Sequence, residues 1–166
     1  MDQTTDNHSI TPQARPFVEE LNLFASRPDV LRALSQADAE ARAKLRQEPN
    51  LAAAFAAVDP SSLGCALPAA IGSIRVFVTR GIGGSGFERH ANSTQYLLAL
   101  DGAIETHVQT TDGWRIDRYG KGNPAVLENR WHVLSPGVWH KSAALEERDW
   151  SVVAFHSARD VIDEYR

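Results

Sequence analysis

Residues 88–102 read ERHANSTQYLLALDG. Glu88, His90, Asn92 and Gln95 crowd into eight positions, and an apolar run from Tyr96 to Leu100 follows before Gly102 turns the chain. Strand alternation gives Glu88 and His90 the same facing. A bulge between Asn92 and Thr94 would let Gln95, Leu97 and Ala99 share that inner face. The pattern predicts a strand whose body belongs to a core and whose polar start handles chemistry.

The surroundings of this stretch have the same two-residue period. From Gly64 onward short runs alternate, beginning with SIRVFVTR at 73–80, where Ile74, Val76 and Val78 share a face. TQYLLAL, IETHVQT, WRIDRY, WHVLSP, WHKSAAL and DWSVVAFHS follow, separated by RGIGGSG, LDGA, TTDGW, GKGNP and SPGV. Many short strands punctuated by glycine predict an antiparallel sandwich or barrel. The final ARDVIDEYR reads as one or two helical turns. There is no internal repeat and no low-complexity tract.

The first third has a helical period instead. Residues 1–10 are polar and predicted to fray. Thr11 followed by Pro12 signals a helix start, and Phe17, Leu21 and Phe24 recur at helical spacing until Pro28. A second helix places Val30, Leu31, Leu34, Ala41 and Leu45 on one face and ends before Pro49. Asn50 then reads as the cap of a third, carrying Leu51, Phe55 and Val58, which DPSSLG stops. The expected organisation is a helical extension over 1–63 and a barrel over 64–166 with a short C-terminal helix. The amphipathic leader reads as a cover for the barrel or a dimer element.

Composition narrows the function. With 166 residues, 43% of them hydrophobic, the chain can bury its own core. A net charge of −4 without any Lys/Arg run argues against nucleic acid and anionic membrane as partners. Cys65 is the only cysteine, and the polar opening MDQTTDNHSI lacks the basic and apolar parts of a signal peptide, so a cytoplasmic protein is expected. GIGGSG at 81–86 lacks the Gly-Lys-Ser/Thr ending of a phosphate loop and reads as a turn.

Far along the chain SPGVWH delivers His140 from a second turn. Two imidazoles, an amide and a carboxylate converging on a barrel interior could hold a divalent metal or move protons. The spacing resembles that of the cupin superfamily, the small jelly-roll barrels. That family's first motif is H-x-H, three or four residues, E, six residues and G; its second is P-x-G-x-x-H. Glu88 takes the first His position, His90 the second, Gln95 the Glu and Gly102 the Gly, while Ser135 stands for the Pro and Gly137 and His140 match. Within the superfamily IRVFVTR, ERHANSTQ, SPGVWH and HSARDVIDEY are similar to stretches of sugar-nucleotide 3,4-ketoisomerases.

The resemblance implies an all-β small cupin jelly-roll barrel with an N-terminal helical extension. It also implies a small-molecule isomerase in which His90, His140 and Glu88 are catalytic and His90 moves a proton next to a carbonyl. The same residues with Gln95 would, in a second reading, carry Fe, Mn, Ni or Zn in a dioxygenase or lyase. A third reading is a non-catalytic ligand-binding barrel. Gln95, Trp139 and Arg75 are the candidates for contacting a small-molecule substrate, Arg75 by attracting an anion. His107 and His132 read as core or surface residues, whereas His156, near the end of the last long strand, could reach the interior. A homodimer is the expected assembly.

Overall fold

The computed structural model describes residues 7–81, 84–123 and 125–166. The first six residues and the middle of the GIGGSG turn, on which two of the expectations above fall, lie outside them. Two helices come first, α1 (Arg15–Ala25) and α2 (Pro28–Gln47), and ten strands follow. Strands β1 (Ala53–Ala57), β2 (Ser73–Thr79), β9 (Trp150–His156), β4 (Gln95–Asp101) and β7 (Trp131–Leu134) form one antiparallel sheet in that spatial order. The facing sheet runs β10 (Asp163–Tyr165), β3 (Glu88–His90), β8 (His140–Ala144), β5 (Ala103–Thr110) and β6 (Gly113–Gly120).

The first sheet is buried on both faces, which gives the molecule two apolar layers. Its outer face, with Val76, Val78, Leu98, Trp131, Val153 and Phe155, packs under Val18, Leu21, Phe24, Val30, Leu34 and Leu45 of the helices. Its inner face, with Leu97, Ala99, Val152 and Ala154, meets Ile104, Val108 and Tyr119 of the other sheet. Every residue of β9 is therefore buried. Aromatic edges stitch the outer layer, Phe24 against Phe155 and Phe17 against Tyr96, and the Trp131 indole donates to Asn22 Oδ1 at 3.0 Å. Such edge contacts add to the burial of large rings. The helical leader is thus a roof over the barrel, and among the described residues no helix is long and apolar enough to cross a membrane.

Several expectations need correction. Residues 53–57 are not a third helix: they pair antiparallel with β2, Ala53 opposite Thr79 through Ala57 opposite Arg75. Alanine's helix propensity amounts to tenths of a kcal/mol per residue, and a free sheet edge beneath α2 outweighs it. Small Ala54 and Ala56 let α2 lie close, while Phe55 turns to the other side. The C-terminal helix is likewise absent, because 163–165 add a strand to β3. Helix α1 starts at Arg15, with Pro16 in its first turn, rather than at Thr11. Leu31 is exposed instead of facing the roof, leaving Val30 and Leu34 to do so. Asn7 to Ile10 do not fray: Asn7 Nδ2 donates to the Trp131 carbonyl at 2.6 Å, and the Ser9 hydroxyl accepts from Val133 N at 3.0 Å.

Candidate functional site

Glu88, His90 and Gln95 come together by a different route from the bulge read in the sequence. β3 and β4 belong to opposite sheets, so residues 91–94 carry the chain across the barrel and set Gln95 facing the strand that holds Glu88 and His90. Glu88 pairs with His140 at the start of β8. The SPG turn before His140 needs the left-handed backbone at Gly137 (φ 74°), a conformation glycine adopts without steric cost. That turn is tied to the first motif, since Gly137 N–H donates to the His90 carbonyl at 2.9 Å.

The two imidazoles are held in one tautomer. His90 Nδ1 lies 2.8 Å from Asp163 Oδ1, and His140 Nδ1 lies 3.1 Å from the Val138 carbonyl. Both acceptors require the proton on Nδ1, which leaves each Nε2 with a free lone pair. His140 Nε2 is 3.5 Å from Glu88 Oε1, and one ligand atom each from Glu88, His90 and His140 fall within 4.8 Å of one another. His90 Nε2 is buried without a hydrogen-bond partner, as are Gln95 Oε1 and His156 Nε2. An unpaired buried polar atom costs roughly 1–3 kcal/mol, and these three belong to neighbouring residues, Gln95 opposite His156 in the sheet and His156 beside His90.

The charge states follow from the surroundings. Burial, with His140 nearby, pushes the His90 pKa down against the pull of Asp163, so the ring is neutral at physiological pH. His156, whose ring centroid is 4.9 Å from that of His90, is pushed down to about 3 by burial and by the adjacent His90 and Arg75. For Asp163, burial pushes the pKa up, but the bonds from Arg75 and His90 outweigh it and the carboxyl stays ionised. Arg75 reaches Asp163 Oδ2 at 3.0 Å. One anion, Asp163, thereby orients one ligand-type histidine, and one cation, Arg75, fixes the anion.

The remaining candidates are dispersed. Arg75 serves Asp163 rather than an open anion site. Trp139 lies under the guanidinium groups of Arg89 and Arg166, at 4.9 and 4.5 Å from its ring centre, and is absent from the residues lining the cavity. His107 bonds Glu105 at 2.8 Å, and His132 is fully buried against Asp117. Asp163 is a site residue that the helical pattern of ARDVIDEYR hides. Its only signal in the sequence is its place in the tail that resembles the ketoisomerases. His156 lies next to His90 as its position on β9 allowed.

Beside the cluster is a cavity of about 250 Å³, lined among others by Glu88, Gln95, His140, Ser142, Phe77, Leu97 and Val152. Two facing antiparallel sheets, with a polar cluster at the motif positions between them, match the architecture of known barrels. A Bacillus subtilis oxalate decarboxylase with Mn(II) centres superposes with a TM-score of 0.56 at 9% identity, over 70% of this chain and 28% of that one. The Lactobacillus farciminis oxalate decarboxylase in its formate complex gives 0.55 at 12% identity, over 69% and 31%. The fold is that of a cupin. This chain spans about three tenths of the length of those oxalate decarboxylases, and at such identities the likeness concerns the fold alone. No family model matches the sequence, and no curated protein does.

The structure has Asp163 orient the His90 ring, and the consequence can be measured. Asp163→Asn keeps the shape but removes the charge that fixes the His90 tautomer. Losing an outer partner of a ligating histidine typically weakens metal affinity about 10- to 100-fold. Titration with Mn(II) or Zn(II) should show that loss in Asp163→Asn with only a small change in melting temperature.

Proposed function

We propose that this cupin is a divalent-metal enzyme of the lyase or dioxygenase type acting on a small molecule. Glu88, His90 and His140 would hold the ion and Gln95 would stand beside it. The observation that carries the reading is the buried, partnerless Nε2 of His90, kept as a lone pair by Asp163 and gathered with His140 and Glu88. Two imidazoles and a carboxylate suit Fe, Mn, Ni or Zn, and manganese is the ion named for one fold neighbour. A bound ion would supply Lewis acidity, or a redox couple if iron or manganese.

The chain's own residues prepare that chemistry. Asp163 and the Val138 carbonyl hold the Nδ1 protons and turn both Nε2 atoms to the same side. Neutral His156 beside His90 adds no positive charge that would repel a cation. The Gln95 amide oxygen is an acceptor without a partner, able to take a hydrogen bond from a substrate donor. Phe77, Leu97 and Val152 line the cavity and keep water from part of the reacting space.

The His90–Asp163 pair also favours a second reading, the metal-free isomerase. A carboxylate-oriented imidazole with a free Nε2 is a competent general base. Chelation separates the two. Turnover detected on a panel of small acids and carbonyl compounds should vanish after dialysis against EDTA and return with one divalent ion. Turnover that survives complete metal removal would favour proton transfer by His90 and end the metal reading.

A further inference from the structure

We infer that Arg166 is a positioning residue for His90: its guanidinium, seated among the rings of Phe87, Trp114 and Trp139, clamps β10 so that Asp163 stays on the imidazole. The inference rests on the reading of His90 as a residue of the site and deepens it. β10 is thinly held. It is three residues long, stands at the end of its sheet and pairs only with β3. β3 in turn meets β8 at the single pair of Glu88 and His140. Such short edge elements open locally far more readily than a core does. Yet this strand carries Asp163, whose carboxylate holds the His90 Nδ1 proton at 2.8 Å, and Tyr165, which lines the cavity.

Strand alternation divides the tail between two faces. Asp163 and Tyr165 turn inward to the site, while Glu164 and Arg166 turn outward. Glu164 accepts from Arg89 Nε at 2.6 Å. The Cζ of Arg166 lies 4.5 Å from the ring centre of Trp139, 5.2 Å from that of Phe87 and 5.7 Å from that of Trp114. These rings come from three places. Phe87 precedes β3, Trp139 precedes β8 and Trp114 belongs to β6, so the cation ties β10 to the strand at the opposite end of the same sheet. Phe87 and Trp114 also touch, with ring centres 5.2 Å apart. A guanidinium over an aromatic face is held by the negative charge of that face, more strongly where water is excluded. The backbone adds one bond, from Arg166 N–H to the Phe87 carbonyl at 3.1 Å. Upstream, Asn92 bonds the Asp160 carbonyl and the Ile162 N–H, which leaves the outer face of 163–166 to Glu164 and Arg166. When this end of the strand lifts, Asp163 leaves Nδ1 and His90 loses the partner that sets its tautomer.

Hydrogen exchange on the full chain freed of metal tests this, followed by NMR at the β10 amides, at the His90 Nδ1 proton and at the amides of β9. Arg166→Ala should speed exchange of the β10 amides and of the His90 Nδ1 proton by the same factor, roughly 2- to 30-fold, and leave the β9 amides unchanged. Trp114→Ala removes one ring of the seat from another strand and should act in the same direction. Arg166→Lys keeps a cation for the rings and should bring both rates part of the way back. Unchanged rates in Arg166→Ala overturn the inference. A His90 proton that exchanges as before while the β10 amides speed up also overturns it, because Arg166 would then hold the tail without holding His90. Acceleration of β9 by the same factor does so as well, by showing a general loss of stability, and so does a Lys variant no slower than the Ala variant. Both readouts are taken without metal, so a protein that takes up no ion ends the metal reading and leaves this inference to be decided by its own result.

Discussion

Leu34→Ala is expected to lower the stability of the whole chain by about 2–5 kcal/mol, the usual range for emptying a buried leucine site. Leu34 is fully buried in the layer between α2 and the first sheet, together with Val30, Leu45, Val76 and Val153. Deleting residues 1–49 removes that layer outright and uncovers a continuous apolar sheet face, so the truncated chain should aggregate. The deletion stops short of β1, since Ala53–Ala57 are part of the sheet. Solubility, light scattering and urea unfolding check both expectations. A truncated barrel that stays monodisperse with an unchanged unfolding midpoint would show that the helices are a detachable module.

A second large effect is expected from pH, through the buried His132–Asp117 pair. His132 Nε2 lies 2.9 Å from Asp117 Oδ2, and Arg115 reaches the same carboxylate at 2.8 Å. Burial raises the Asp117 pKa, but the bonds from His132 and Arg115 more than reverse this and lower it to about 2. Burial lowers that of His132, so the pair is a neutral imidazole donating to an ionised carboxylate whose counter-charge is Arg115. Both groups have depressed folded values. Each therefore binds its proton more readily unfolded than folded, and stability falls as pH falls. For His132 the loss begins below about 6.5, at up to about 1.4 kcal/mol per pH unit. For Asp117 the contribution is complete above about 4 and disappears as pH falls through about 2. Urea unfolding between pH 8 and 3 should show this decline, and Asp117→Asn should flatten its acid end. A stability that rises on acidification would contradict the pairing.

Where the chain could be read in advance depended on how many faces of an element are buried. SIRVFVT alternates visibly and is β2, and HANSTQ followed by YLLAL marks the polar entry to β4. WSVVAFH is apolar almost throughout because it is sandwiched between helices and barrel, and it was still recognisable as β9 from its β-branched residues. AAFAA was not legible. Its residues favour a helix in isolation, and only the neighbouring edge of β2 makes it a strand. The tail failed for the same reason, since Asp163 to Tyr165 become a strand only against β3. At the site the motif spacing located Glu88, His90, Gln95 and His140, because those positions are fixed by strand alternation and by two glycine turns. Asp163 was illegible because its role depends on a pairing 73 residues away in sequence. Trp139 is adjacent to His140 in sequence, yet it lies before β8 and its ring is held outside the cavity under Arg89 and Arg166.

Metal content per chain is the most direct measurement of the central claim. Protein produced in medium supplemented with manganese, iron, nickel and zinc would be analysed by inductively coupled plasma mass spectrometry, beside a His90→Ala, His140→Ala double variant of matched circular dichroism. The account predicts about one transition-metal ion per chain in the unaltered protein and a small fraction of that in the double variant. An unaltered protein that holds no ion even after incubation with these metals, or a double variant that holds as much, would contradict it.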